Sequence, residues 1–321
     1  MPFYDSFPPE LCRLFQAAAL KEDSLEELRL RVGQPLALRY RSCECGITGD
    51  GRLTENLMKS VRIDAVQLEA VLEALSACSL YAFAEETRQG FFTVPGGHRV
   101  GIAGKTVLEN GKVSCIRNIS FLNLRFSHEK KGCASYIMPY LFEDGKLCDT
   151  LLIGPPGCGK TTLLRDLIRQ LSLGSTFHPG MTVGVVDERS EIGGAYLGIP
   201  QNDLGPRTDL LDGCRKSEGM LMLLRSMTPE VIAADELGSQ EDRYALESVF
   251  HCGCHLVATA HGTSFAASAR SPLLHTLFEQ RLFQRLILLS GRPSPGTVIQ
   301  ISDADGNLLD TGCKVALQEI S

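Results

Sequence analysis

Apolar positions along the chain change period once, and that change divides it. Leu11, Leu14, Phe15 and Ala18 recur at helical spacing, which predicts a leading helix within residues 1 to about 22. From Leu25 to Val32 apolar and charged residues alternate, Gly33-Gln34-Pro35 turns the chain, and Leu36 to Tyr40 returns, the pattern of a hairpin. Ile63 to Cys78 carries Val66, Leu68, Val71, Leu72 and Leu75 as the apolar positions of an amphipathic helix. Phe91–Val94 and His98–Ala103 flank Pro95-Gly96-Gly97 as a second hairpin. Val113–Ile119 and Leu122–Phe126 continue a sheet. Hairpins and helices in this order predict an α+β domain.

A charged, turn-rich passage, Ser127 to Gly132, then marks a boundary, giving domains at 1–128 and 129–321. Beyond it short, wholly apolar runs alternate with helical patterns. A helix is expected at Ala134–Phe142 and another at Thr162–Leu173. Strands are expected at Leu151–Ile153, Val183–Val186, Val231–Ala234, Leu256–Ala260, Leu286–Leu289 and Val298–Ile301. Such alternation predicts an α/β fold whose mainly parallel sheet is covered on both faces, with ligands at the carboxyl ends of its strands.

Composition narrows the setting. A net charge of −6 argues against broad electrostatic capture of nucleic acid or anionic lipid. No apolar run reaches the roughly 18 residues a membrane span needs. The first residues, MPFYDSFPPELCRLF, lack the pattern of a secretory leader. Twelve cysteines in such a chain suggest reduced thiols, so a cytoplasmic protein is expected.

Candidate chemistry concentrates at the ends of the apolar strands. Gly154-Pro155-Pro156-Gly157-Cys158-Gly159-Lys160-Thr161-Thr162 reads G-x-x-x-x-G-K-T between a strand and a helix. Its glycines let backbone N–H groups curl around phosphates, Lys160 would reach the β- and γ-phosphates, and the Thr161 hydroxyl would ligate Mg²⁺. The chain is therefore expected to bind ATP with Mg²⁺. Asp235 and Glu236 follow the strand 231–234, with Asp235 placed near Mg²⁺ and Glu236 to orient the attacking water. Asp187, Glu188 and Glu191, within DERSE, end another strand; they could hold Mg²⁺ through water and steer the attacking water, or form a solvated acidic loop. His261 follows the strand 256–260 and could sense the γ-phosphate, or be a structural histidine. His251-Cys252-Gly253-Cys254-His255 reads as a helix-to-strand turn rather than a zinc site, because its two-residue spacing closes a tetrahedron poorly. Cys43-Glu44-Cys45 is discounted likewise. Cys158 reads as a small filler in its loop, rather than as a nucleotide-exposed, oxidant-sensitive thiol.

In this order GPPGCGKTT, DERSE, TPEVIAADE and TAHGTS resemble the traffic ATPases of type II and type IV secretion and pilus retraction. LRLRVGQPL, GHRVGIAGK and DERSEIGG are similar to a branch of that family serving the mother-cell to forespore transport apparatus of endospore-forming bacteria. The resemblance implies a RecA-like P-loop NTPase domain after the smaller α+β domain. It maps the family's Walker A onto Lys160 and Thr161, its Asp box onto Asp187, Glu188 and Glu191, its Walker B onto Glu236 and its His box onto His261. It further implies nucleotide-clamping arginines in the first domain, best matched by Arg99 and Arg117, with Arg125 a third candidate. Self-association into a hexameric ring is implied too, on integral membrane components at the inner face of a membrane, without stable nucleic acid. Two departures stand out: the acids of DERSE are reordered, and Asp235 replaces a usual glycine. A nucleic-acid-remodelling ATPase and a P-loop small-molecule kinase are the other classes. The absence of a basic or aromatic platform disfavours the first. The acidic box, the His box and the long first domain disfavour the second.

Overall fold

In a computed structural model, residues 4, 5, 7–76, 83–310 and 314–315 are described. They divide into two compact units, Met1–His128 and Glu129–Ser321. The predicted helix end at Ala77-Cys78 and the tail after Asp310, apart from 314–315, lie outside the described residues.

The first unit runs α1 (Pro9–Ala18), β1 (Leu25–Arg31), β2 (Ala37–Tyr40), β3 (Cys43–Ile47), β4 (Leu53–Thr54), α2 (Ala65–Leu75), α3 (Ala84–Arg88), β5 (Phe91–Val94), β6 (His98–Glu109) and β7 (Lys112–Arg125). Its strands form one antiparallel sheet in the order β4-β3-β2-β1-β7-β6-β5. The leading helix is shorter than expected and starts at Pro9, where proline lacks only an N–H that a first helical turn leaves unpaired. Asp64 and Gln67 close a capping box on α2. Val66, expected on the apolar face of α2, is 76% exposed; Leu68, Val71 and Leu72 are buried. The two strands expected over 113–126 are one, β7, which passes a bulge opposite Gly104. There Asn118 turns left-handed (φ +47°), and a side chain on Gly104 would meet the carbonyl oxygens of Arg117 and Asn118 at 2.7 Å. Only glycine fits.

The second unit contains β8 (Phe142–Glu143), β9 (Lys146–Leu147), β10 (Thr150–Gly154), α4 (Lys160–Leu173), β11 (Val183–Asp187), β12 (Thr208–Asp212), α5 (Lys216–Ser226), β13 (Val231–Ala234), α6 (Asp242–His251), β14 (His255–His261), α7 (Phe265–Ser268), α8 (Pro272–Glu279), β15 (Arg285–Ser290), β16 (Thr297–Asp303) and β17 (Leu308–Asp310). Its large sheet runs in the order β12-β11-β13-β14-β10-β15-β16-β17. From β12 to β15 every pairing is parallel, and β16 and β17 add antiparallel. Successive residues of each parallel strand enter opposite cores. Leu152, Val231 and Ala233 pack with Leu163, Leu164, Leu167 and Leu171 of α4. Leu151, Ile153, Ile232 and Ala234 pack with residues of α5, α6 and α8. Burial on both faces is why these strands read as unbroken apolar runs. β12 escaped the sequence reading because Thr208-Asp209-Leu210-Leu211-Asp212 is an edge strand with few apolar residues.

The helix expected at Ala134–Phe142 does not form. Ala134, Ile137, Met138 and Leu141 are buried at helical spacing, yet the chain makes turns and then a short 3₁₀ helix, Met138–Leu141. Three-residue bonds dominate, from Ser135 N to Gly132 O, Ile137 N to Ala134 O and Tyr140 N to Ile137 O. Pro139, without an N–H, cannot continue an α-helical ladder. The segment is instead fastened to α4 by Asp166, whose carboxylate accepts from the N–H groups of Gly132 (3.0 Å) and Ala134 (2.8 Å) and from Arg169 and Gln170. Asp166→Ala strands these donors and leaves Arg169 without its carboxylate. We expect it to destabilise the second unit by roughly 3–5 kcal/mol, read as a lower urea midpoint at unchanged slope.

Candidate functional site

Parallel register ends β10 and β14 at one level and β13 three residues short of it. Gly154 pairs with His261 across β10 and β14, and Ala234 pairs with Ala258 across β13 and β14. The loops that leave these strands therefore gather at one edge of the sheet. The glycine-rich loop leaves β10 with Gly157 and Gly159 left-handed (φ +71° and +91°) and enters α4, whose first turn no side chain caps. Gly159 is obligatory: a Cβ there would meet the backbone N of Gly296 at 2.9 Å. Open N–H groups at a helix start suit a phosphate.

Lys160 is 5% exposed, and its ammonium donates to the carbonyls of Gly154 (2.9 Å) and Pro155 (3.0 Å). It also lies 3.3 Å from Nδ1 of His261, while Nε2 of that ring lies 2.9 Å from Oε1 of Glu236. An ammonium only donates, so Nδ1 accepts, and the ring proton sits on Nε2 and is given to Glu236. Thr161 Oγ1 donates to Asp235 Oδ2 at 2.6 Å, and Thr259 of β14 donates to Asp235 Oδ1. The same Thr259 hydroxyl accepts from the N–H of Glu236 at 2.8 Å. Glu236 itself is left-handed (φ +57°), a conformation that costs a non-glycine residue on the order of 1 kcal/mol and clusters at functional sites. Its Oε2 accepts from Arg189 at 2.9 Å.

Lys160, Thr161, Asp235, Glu236 and His261 thus stand in one hydrogen-bonded constellation, which also includes Thr259 and Arg189, residues the sequence reading assigned no role. Thr259 lies inside an apolar strand and Arg189 lies between acids, so neither carries a local signal of function.

The DERSE acids are placed differently from expectation. Asp187, expected near Mg²⁺, is 2% exposed and accepts from the N–H groups of Glu191 (2.8 Å), Ile192 (2.9 Å) and Gly193 (2.8 Å). Its oxygens serve its own turn. Glu188 pairs with Lys216 at the start of α5. Glu191 closes the turn, its carbonyl accepting from Arg165 at 2.7 Å. Cys158 is 1% exposed and burial raises its thiol pKa, so it fills the loop's interior. Burial likewise pushes Cys254 up to about 12, and no three potential metal ligands cluster among the described residues.

In the first unit Arg99 lies over the Phe91 ring, 3.4 Å from its centroid, and pairs across the sheet with Arg125. Arg117 pairs with Lys105, six residues farther along β6, roughly 20 Å away at ~3.4 Å per residue. One sheet therefore does not bring Arg99 and Arg117 together; it brings together Arg99 and Arg125.

A family model, sporulation stage III, protein AA, matches residues 4–309. The stage III sporulation protein AA of Bacillus subtilis (strain 168) is 42% identical over 292 residues, covering 90% of this chain and 91% of that protein. The chain belongs to the stage III sporulation protein AA family. In fold, this family member resembles the ATPase DotB of Legionella pneumophila (TM-score 0.54, 17% identity, 88% of this chain and 76% of that one). It also resembles the pilus retraction motor PilT (TM-score 0.52, 15% identity, 85% and 75%). The chain thus shares a mixed α/β fold with the ATPase DotB and the pilus retraction motor PilT, and no described helix is long and apolar enough to cross a membrane.

Asp187 gives this site a pH signature. Burial pushes its carboxyl up to about 6, against the opposing effect of three N–H donors. The folded state thus holds this proton more tightly than the unfolded chain does. The resulting stability is full below pH ~4 and is lost as pH rises through about 6, amounting to about 3 kcal/mol. Asp187→Asn cannot titrate. Urea unfolding from pH 4 to 6.5 should show the parent losing about that much stability relative to the variant.

Proposed function

We propose that this protein is a Mg²⁺-dependent ATPase with a RecA-like P-loop core, working in sporulation on a membrane-embedded transport apparatus. The observation that carries the reading is the meeting of Lys160, Thr161, Asp235, Glu236 and His261 at the carboxyl edge of a parallel sheet, in two hydrogen-bonded strings, Lys160–His261–Glu236 and Thr161–Asp235, that Thr259 links. This edge is where α/β folds bind ligands. Loop residues 154–162 and the start of α4 would receive the phosphates, with Lys160 turning from its own carbonyls toward them.

The Thr161 hydroxyl and Asp235 carboxylate are hard oxygen donors already in contact, a set suited to Mg²⁺, which would neutralise charge on the β- and γ-phosphate oxygens. Glu236 would orient the attacking water and take its proton; His261, holding Glu236 through Nε2–H, would register the γ-phosphate. Lys160 offsets charge gathering on the transferred group. Glu188 and Glu191, tied to Lys216 and to the turn closed by Arg165, would support the acid box around this centre.

Arginines from the first unit, Arg99, Arg117 or Arg125, would supply further positive charge to the nucleotide. The protein would act as a ring, in a hexameric arrangement, from the cytoplasmic side and against integral membrane partners.

Lys160→Ala should abolish ATP binding, measured by titration with a fluorescent ATP analogue; parent-like affinity would remove the reading. Glu236→Gln should retain binding and lose about 10²–10⁴ in turnover, measured by phosphate release, because the amide cannot accept the water's proton.

A further inference from the structure

The acid box lines the cleft beside Asp235 and Glu236, and it also delivers a cation there. Asp187 fixes the turn from inside by accepting three successive N–H groups. Arg165 grips the turn's far side, donating to the carbonyls of Glu191 (2.7 Å) and Ile192 (2.8 Å). Ser190 is left-handed (φ +52°), and its hydroxyl donates to Asp212 of the neighbouring strand at 2.7 Å. Lys216 holds Glu188. Every neighbour of Arg189 is thereby anchored, and the Arg189 guanidinium crosses the cleft to Glu236 Oε2 at 2.9 Å.

The two oxygens of Glu236 are then held separately, Oε1 by His261 Nε2–H and Oε2 by Arg189. With the Glu236 backbone already fixed by Thr259, these two donors leave the carboxylate one orientation. We propose that Arg189 is a positioning residue for Glu236, setting the direction in which that carboxylate presents its remaining lone pairs to the attacking water. The proposal rests on Glu236 being the water-orienting group.

The Arg189 side chain is 63% exposed, so the ion pair contributes little to folding. Its loss should leave the fold intact and act through geometry, where misplacing a reacting group by about 1 Å can cost up to ~10² in rate.

The test uses the full chain, with ATP affinity, KM and kcat measured for the parent, Arg189→Ala, Arg189→Lys, Glu236→Gln and the Arg189→Ala/Glu236→Gln pair. We expect Arg189→Ala to lower kcat by about 10- to 100-fold, with ATP affinity and KM within twofold of the parent. Arg189→Lys, which keeps one donor, should recover part of the loss, and the double variant should be no slower than Glu236→Gln alone. Weakened ATP affinity with unchanged kcat would make Arg189 a phosphate contact and overturn the proposal; so would fully additive losses in the double variant. If Glu236→Gln keeps the parent's turnover, the functional reading of Glu236 fails first and takes the proposal with it. If Glu236→Gln is inactive while Arg189→Ala turns over normally, only the role of Arg189 is lost.

Discussion

Asp235 is the constraint on which the candidate site depends. Its carboxylate joins the helix that starts at the glycine-rich loop, through Thr161, to β14, through Thr259. Thr259 in turn holds the N–H of Glu236, so one hydroxyl on an interior strand sets both the acidic residue and its neighbour. Asp235 is half-buried, and the hydrogen bonds its carboxylate accepts tie together three segments distant in sequence at one edge of the sheet. The parallel register supplies the coarse alignment, and the Asp235 bonds refine it to hydrogen-bonding distance.

Around that anchor, charges are arranged in alternation. Lys160, the ring of His261, Glu236 and Arg189 succeed one another across the edge, each in hydrogen-bond contact with the next. Glu188 and Lys216 form a second pair beside them. A nucleotide bringing several negative charges would compete for the Lys160 ammonium, which now rests on carbonyls of its own loop. Such self-contact keeps the ammonium solvated by protein dipoles, so its transfer to a phosphate exchanges one set of acceptors for a stronger, charged one.

Where the sequence was misleading, the cause is physical. Residues 134–142 carry a helical apolar period, but Pro139 and the Asp166 carboxylate impose turns, so burial at helical spacing was satisfied without a helix. The acids of DERSE invited a metal reading because charge alone is visible in a sequence. Asp187 is buried against its own backbone, and Glu188 is paired with a lysine 28 residues away. Arg99 and Arg117 looked like a pair because the chain spacing fits neighbouring strands, whereas the bulge at Asn118 and the register at Arg125 set their true partners.

By itself the sequence determined the elements whose signal is local. Unbroken apolar runs specify strands buried on both faces, the alternation from Leu25 specifies a hairpin, and GPPGCGKTT specifies a strand, a left-handed glycine loop and a helix start. These arise from side-chain burial and backbone sterics, which depend on a few neighbouring residues. Only the tertiary structure decided which polar residues meet: that Thr259 joins Asp235 to Glu236, that His261 bridges Lys160 and Glu236, and that Arg189 bonds the carboxylate of Glu236. Those contacts span 23 to 101 residues, and hydrogen-bond direction at that range is set by sheet register and loop geometry, which no local pattern encodes.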